Sequence, residues 1–83
     1  MKIAPLHADV FTYLRKRQLV RKWEKASKLF ETNIRHPSLN TELMAPHWRG
    51  VYSFRIDKKY RAVFLLVSNE EIEVIAITNH YKK

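Results

Sequence analysis

The sequence predicts an α+β fold in which two N-terminal helices pack on a small antiparallel β-sheet. In the first part of the chain, apolar residues recur with the spacing of helices. From about residue 48 onwards, apolar and polar residues instead alternate as in strands. The 83 residues form neither repeats nor a linker, so we expect a single domain spanning residues 1–83.

The helical region runs from residue 8 to residue 34. Its apolar positions fall into two sets, one at Val10, Phe11 and Leu14 and the other at Leu19, Trp23, Ala26 and Phe30. A five-residue step between the sets breaks the phase of the apolar stripe, which predicts two helices with a tight junction near Arg17. One continuous kinked helix is the alternative. Because proline disfavours the α conformation of the residue before it, the helices end before Pro37, and residues 36–40 form a loop.

The second part of the chain predicts a three-stranded meander. Its strands are residues 48–56, 60–67 and 72–77, rich in β-branched and aromatic residues and separated by the turn-like segments DKK and SNEE. Residues 1–3 add a possible short strand, which Pro5 limits.

Charge and composition indicate the kind of partner. Sixteen Lys and Arg residues against eight Asp and Glu residues give a net charge of +8, which favours polyanions, above all nucleic acid. The candidate RNA-binding residues are Arg15, Lys16, Arg17, Arg21, Lys22, Lys25, Lys28 and Arg49. A solvated helix face is the alternative explanation for the helical members of this set.

Several kinds of site and location are not expected. The sequence has no cysteine, no apolar run of membrane-spanning length and no apolar N-terminal leader, so we expect a cytoplasmic protein without a membrane partner. The four histidines, His7, His36, His47 and His80, lack the short spacing of a metal site. We therefore predict neither a metal nor a cofactor.

Several segments together resemble a known family. The order helix, helix, meander, the loop HPSL, the segment WRGVYSFRIDKKYRAVF and the terminal HYK are similar to the RelE/ParE superfamily of type II toxin-antitoxin toxins. The resemblance covers nearly the whole chain and implies a RelE-like fold with a cognate antitoxin protein as partner. It also implies one of two activities, messenger RNA (mRNA) cleavage on the ribosome without a metal or, as in ParE-like members, non-enzymatic inhibition of DNA gyrase. An inactive relative that only binds its antitoxin is a third possibility.

The terminal His80-Tyr81 pair resembles that of the YoeB type and so favours the endoribonuclease. The resemblance makes Arg61 the residue that grips the scissile phosphate. His80 is then the general acid or base, and Tyr81 stacks on a base or positions the phosphate. A mobile terminal tail is the alternative for the last two residues.

Two further residues are candidates for the same site. Arg55 lies directly opposite Arg61 if the DKK loop has three residues, and on the other face if the loop has two. Glu42 precedes Arg61 by a separation similar to that of the glutamate and arginine in the YoeB-type site. An isolated acidic loop residue is the favoured interpretation of Glu42.

Overall fold

The structure, a computed structural model, describes residues 1–44 and 50–79. In chain order its elements are β1 (Lys2–Ile3), α1 (Ala8–Lys16), α2 (Val20–Thr32), a short 3₁₀ helix (Pro37–Leu39), β2 (Glu42–Leu43), β3 (Val51–Arg55), β4 (Arg61–Leu66) and β5 (Glu71–Thr78). Two helices packed on one sheet confirm the predicted fold class. None of the helices in the described ranges is both long and apolar enough to cross a membrane.

The helical region is divided as the sequence predicts. Gln18 adopts a left-handed conformation with φ 58°. The N–H of Gln18 donates to the carbonyl of Arg15, and that of Leu19 to the carbonyl of Leu14, which is the Schellman ending of a helix. Leu14 and Leu19 are both buried, so the apolar contact that accompanies this motif fixes the angle between α1 and α2.

The sheet has five strands in the order β1-β5-β4-β3-β2. The predicted meander corresponds to β3, β4 and β5, which pair antiparallel. The sheet is nevertheless mixed and not purely antiparallel, because β1 pairs parallel to β5. A parallel pair needs a crossover, which the helices and intervening strands supply. At the opposite edge, β2 pairs antiparallel with β3 and extends the sheet beyond the predicted strands.

The core lies between the helices and one face of the sheet. Phe54 of β3 is fully buried, and its ring centroid is 4.7 Å from that of Phe30 and 5.9 Å from that of Trp23, both on α2. Phe64 of β4 completes this aromatic cluster, 5.3 Å from Phe30. Trp23 and Phe30, two members of the second apolar set of the helical region, are therefore both core residues. Since successive strand residues point to opposite faces, the neighbours of Phe54 and Phe64 in sequence lie on the other side of the sheet.

Candidate active site

Arg61 is the centre of a polar cluster on the sheet face opposite the helices. Its guanidinium Nε donates to Ser53 Oγ at 2.9 Å, and Nη2 donates to the Asn40 carbonyl at 2.6 Å and to the Ser53 carbonyl at 3.3 Å. The side chain is only 17% exposed. These bonds hold the guanidinium plane in one orientation, whereas a solvent-facing arginine on a strand would be mobile.

Ser53 is the acceptor on the sheet side of this cluster. It is 2% exposed and is the only buried polar residue among those that the structure describes. Strand alternation places Ser53 on the face opposite Phe54, so its hydroxyl points away from the aromatic cluster. A buried hydroxyl requires a hydrogen-bond partner, and Arg61 supplies it.

Local sequence explains why the Asn40 carbonyl reaches Arg61. His36 begins the 3₁₀ helix by accepting a hydrogen bond from the N–H of Ser38 on Nδ1. Leu39, 1% exposed, anchors the loop in the core. Asn40 ends the helix in the left-handed conformation, with φ 44°, which asparagine tolerates better than most residues. The chain reverses there, and the carbonyl of Asn40 faces the guanidinium.

Glu42 is part of the same cluster. Its Oε2 lies 3.5 Å from Arg61 Nη2, and its side chain is 57% exposed. The interpretation of Glu42 as an isolated loop residue is wrong, because the residue lies in β2, directly opposite Ser53 in the pairing register. Two-residue strands show no periodicity in a sequence, which is why β2 was not predicted.

The ionisation of Arg61 reflects its surroundings. Burial lowers the pKa of Arg61 below its ordinary value, Glu42 acts against this shift, and Arg55 adds to it. Arginine nevertheless stays protonated at neutral pH. The protein therefore keeps a permanent positive charge half-buried, next to an exposed carboxylate.

Arg55 lies on the same side of the sheet as Arg61. The two residues are directly opposite each other in the register of β3 and β4. Of the two loop lengths considered from the sequence, the structure has the three-residue DKK loop, since the N–H of Ile56 donates to the carbonyl of Tyr60 across it. Asp57 stabilises the turn by accepting hydrogen bonds from the N–H groups of Lys59 and Tyr60.

The predicted basic residues of the helices lie on exposed parts of α1, α2 and the junction between them. Lys22 forms an ion pair with Asp57 at 3.0 Å. The guanidinium of Arg17 lies 3.7 Å above the centre of the Tyr13 ring. The predicted site residues His80 and Tyr81 and the predicted RNA-binding residue Arg49 lie outside the described residues, as does His47.

Sequence reasoning missed two members of the cluster, Ser53 and Asn40. Ser53 has a weak signal, a small polar residue between two aromatic residues of a strand. Asn40 has a better one, since asparagine after a Pro-Ser-Leu turn is suited to a left-handed helix end. What the sequence does not reveal is that the Asn40 carbonyl contacts a residue 21 positions later.

The cluster has the chemical requirements of an anion-binding site. No described residue accepts a hydrogen bond from Arg61 Nη1, so the two N–H groups of that nitrogen remain as donors for a ligand. Arg55 adds a second guanidinium, which suits phosphate. The Glu42 carboxylate can accept a proton from a group on a bound phosphodiester. Within the described ranges, no group of three or more His, Asp or Glu side chains could hold a metal ion.

The architecture is that of the RelE-like toxins of toxin-antitoxin systems. It superimposes on YoeB in the heterotetrameric YoeB-YefM toxin-antitoxin complex from Staphylococcus aureus with a TM-score of 0.66 and 22% identity, covering 96% of this chain and 94% of that chain. The YoeB/ParE toxin from Agrobacterium tumefaciens gives a TM-score of 0.69 at 21% identity, with 98% and 100% covered.

A third structure, from the E. coli DinJ-YafQ toxin-antitoxin complex, gives a TM-score of 0.71 at 11% identity, with 95% and 89% covered. No protein-family model matches the sequence, and a search of curated proteins finds no significant match. The likeness is therefore one of fold, and it extends over nearly the whole length of each chain.

Proposed function

We propose that this protein is the toxin of a type II toxin-antitoxin system and that it cleaves mRNA on the ribosome without a metal ion. The observation that carries the proposal is the half-buried Arg61 guanidinium, fixed by Ser53 and Asn40 beside the Glu42 carboxylate. Folding does not need a charge in that position, since desolvating it costs free energy. Binding and cleavage of a phosphodiester account for it.

The proposed reaction is an internal transfer within RNA. The 2′-oxygen attacks the adjacent phosphorus and forms a new P–O bond, while the bond from phosphorus to the 5′-oxygen of the next nucleotide breaks. A base takes the 2′-OH proton, and an acid gives a proton to the departing 5′-oxygen. The products are a 2′,3′-cyclic phosphate and a 5′-hydroxyl, and no metal is required.

Arg61 supplies the charge stabilisation that this reaction needs. Negative charge accumulates on the non-bridging phosphate oxygens in the transition state, and a donor fixed beforehand stabilises it without reorganisation. A phosphate on Arg61 Nη1 would lie beside Glu42, whose exposed carboxylate is then the base for the 2′-OH proton. Arg55, opposite Arg61, adds positive charge on the same side of the sheet.

The terminal residues supply the remaining roles in this proposal. His80 donates the proton to the 5′-oxygen, since imidazole titrates nearest to neutral pH. Tyr81 stacks on a base or positions the phosphate. His80 is also the residue that separates the two main alternatives, because an inhibitor that only binds DNA gyrase has no need of a proton donor.

The proposed partners are mRNA, the ribosome and a cognate antitoxin protein, all in the cytoplasm. The net charge of +8 and the exposed basic residues of the helices favour RNA. Support for an antitoxin comes from the fold, since YoeB and YafQ were each solved in a complex with an antitoxin. An antitoxin bound over the Arg61 cluster would block access of RNA.

The test is expression of the chain without a partner, comparing wild type with His80→Gln and with the control His7→Gln. His7 lies at the start of α1 and pairs with Glu73 of β5, away from the Arg61 cluster. We expect wild type and His7→Gln to arrest growth, with mRNA cut within codons and normal plasmid supercoiling. His80→Gln should lower the cleavage rate by about 10² to 10⁴, the usual contribution of general acid-base catalysis.

Other outcomes have definite meanings. Loss of negative supercoiling with intact mRNA would transfer support to the gyrase inhibitor. Normal growth with a folded, abundant wild-type chain would favour an inactive relative that only binds an antitoxin. Full activity of His80→Gln would remove His80 from the mechanism and leave it without a proposed proton donor for the 5′-oxygen.

A further inference from the structure

A second basic feature lies beside the Arg61 cluster. A groove of about 250 Å³ runs between α2, the 3₁₀ helix and the end of β3. Its apolar floor is formed by Ala26, Leu29, Leu39 and Ile56, and its polar lining by Lys22, Lys25, Ser38, Arg55 and Asp57. We call this feature the α2 groove.

The charges of the α2 groove are unbalanced. Three cationic residues line it against a single carboxylate, that of Asp57. Asp57 is already engaged by Lys22 Nζ and by two backbone N–H groups. Lys25 and Arg55 form no ion pair with any residue in the described ranges. Two cations therefore remain to bind an anion there.

The volume of the α2 groove and the residues that line it restrict the class of ligand that it can bind. Pockets that enclose a small molecule typically measure roughly 300–1,000 Å³, so the α2 groove is too small and too open to enclose one. A segment of a polyanionic chain that passes through it fits better. None of the described lining residues is aromatic, so we expect contacts to the backbone and no stacking on bases.

Arg55 connects the α2 groove to the candidate active site. It lines the groove and also lies directly opposite Arg61 in the β3–β4 register. Directly opposed strand residues have Cβ atoms about 5 Å apart. A chain whose phosphate contacts Arg61 can therefore continue past Arg55 into the groove.

We propose that the α2 groove binds a backbone phosphate of single-stranded RNA on one side of the scissile phosphate, with Lys25 and Arg55 as its ligands. This inference rests on the proposed function. It assigns to two of the basic residues a specific place on the path of the RNA, whereas a solvated helix face would attract RNA diffusely. An acidic protein segment is the competing ligand, and the experiment distinguishes the two.

The experiment measures binding of an RNA of about twelve nucleotides that carries 2′-O-methyl groups throughout. Such RNA lacks the nucleophile and cannot be cleaved, so binding is measured apart from catalysis. Affinity is determined against salt for wild type, Lys25→Gln, Lys25→Arg and Lys2→Gln. Lys2 is exposed on β1, at the sheet edge opposite β2, and is the control for loss of one charge.

Lys25→Gln should weaken binding roughly fivefold and reduce the slope of log affinity against log salt by about 0.7, the value for one phosphate contact on a single strand. Lys25→Arg should restore both quantities, because it restores the charge. Lys2→Gln should change the affinity less than twofold. Unfolding temperatures of all four proteins should agree, since both lysines are exposed.

Equal losses in Lys25→Gln and Lys2→Gln would overturn the inference, since they would mean diffuse attraction. A failure of wild type to bind the RNA would overturn it as well. An acidic polyglutamate peptide is the second ligand, and the inference would also fall if Lys25→Gln weakened binding of that peptide but not of the RNA. Failure of the proposed function looks different: unmodified mRNA on ribosomes would stay intact while Lys25→Gln still showed its specific loss of RNA binding. Conversely, if mRNA is cleaved but Lys25→Gln binds RNA no more weakly than Lys2→Gln, the proposed nuclease function is retained and the inference about the α2 groove is rejected.

Discussion

The two faces of the β3–β4 hairpin differ in chemistry, since one is aromatic and apolar and the other is polar and charged. Towards the helices, Phe54 and Phe64 join an aromatic cluster with Phe30 of α2. On the other face, Ser53, next to Phe54 on β3, and Arg61, three residues before Phe64 on β4, form a polar cluster. The first face excludes water, and the second holds a charge that would be better solvated outside the protein.

The comparison separates residues that stabilise the fold from residues that we propose for function. Burial of one aromatic side chain contributes about 1.5–3 kcal/mol, and each aromatic pair adds about 0.5–1.5 kcal/mol. A half-buried guanidinium gives no such gain, because its hydrogen bonds mainly offset its desolvation. Mutations on the two faces should therefore affect different measurements.

The largest effect is expected on the aromatic face. Phe54→Ala should lower the free energy of unfolding by about 3–5 kcal/mol, through lost burial and the cavity that remains. A domain of this size has roughly 4–12 kcal/mol in total, so much of its stability would be lost. Chemical denaturation followed by circular dichroism measures the change.

The matched control for this prediction is Phe11→Ala. Phe11 is the same residue type but is 43% exposed on α1, so its loss should cost less than about 1 kcal/mol. Comparable losses in the two variants would mean that the aromatic cluster is not the main source of stability, and the contrast between the faces would no longer hold.

The next effect is expected on the polar face. Arg61→Lys keeps the charge but loses the planar fork of donors that contacts Ser53 and Asn40. The cleavage rate should fall by about 10² to 10³, as for removal of one preorganised donor to a developing anion. The free energy of unfolding should fall by at most about 1–3 kcal/mol, because the buried Ser53 hydroxyl loses its guanidinium partner.

The control is Arg35→Lys, the same substitution at an exposed residue outside the cluster, which should retain both activity and stability. A strongly destabilised Arg61→Lys would mean that Arg61 is mainly a structural residue. In that case the two faces would both serve folding, and the proposed function would lose its central observation.

How well the sequence predicts a helix or strand depends on the length of that element. Helix spacing and strand alternation extend over many residues, so the helices, their junction and the three long strands follow from the sequence. The two-residue strands β1 and β2 have no such pattern. The parallel pairing of Lys2 with Glu71 depends on where a remote strand lies, which no local preference determines.

The polar face is less predictable because its contacts join distant segments. Resemblance singled out Arg61 and indicated Glu42 by separation alone, but whether the two meet depends on the pairing of β2 with β3. The orientation of Arg55 depended on the length of one turn. The Asn40 carbonyl is a backbone group, and its role follows from a left-handed residue at the end of a 3₁₀ helix.

The smallest effect concerns the turn that fixes the register of the hairpin, and with it the assignment of residues to the two faces. Burial acts to raise the pKa of Asp57, but hydrogen bonds from Lys22, Tyr60 and Lys59 outweigh it, and the pKa lies below its ordinary value. Asp57→Asn keeps an oxygen for the two backbone N–H groups and loses the ion pair. The expected cost at pH 7 is about 0.5–1 kcal/mol, since Lys22 is largely exposed.

The pH dependence identifies the cause of that cost. Because the folded pKa of Asp57 is lower than the unfolded value of about 3.9, its contribution to stability is fully present above the unfolded pKa. It is lost as the pH falls through the folded pKa. The difference in free energy of unfolding between wild type and Asp57→Asn should therefore be constant from pH 7 to pH 5 and shrink towards pH 2.

A double-mutant comparison tests the ion pair directly. Lys22→Gln should lower the free energy of unfolding by a similar amount at pH 7, and the double variant should lose no more than either single one. Additive losses, or a difference that persists at pH 2, would show that the ion pair does not stabilise the turn and that the backbone hydrogen bonds of Asp57 alone fix the register.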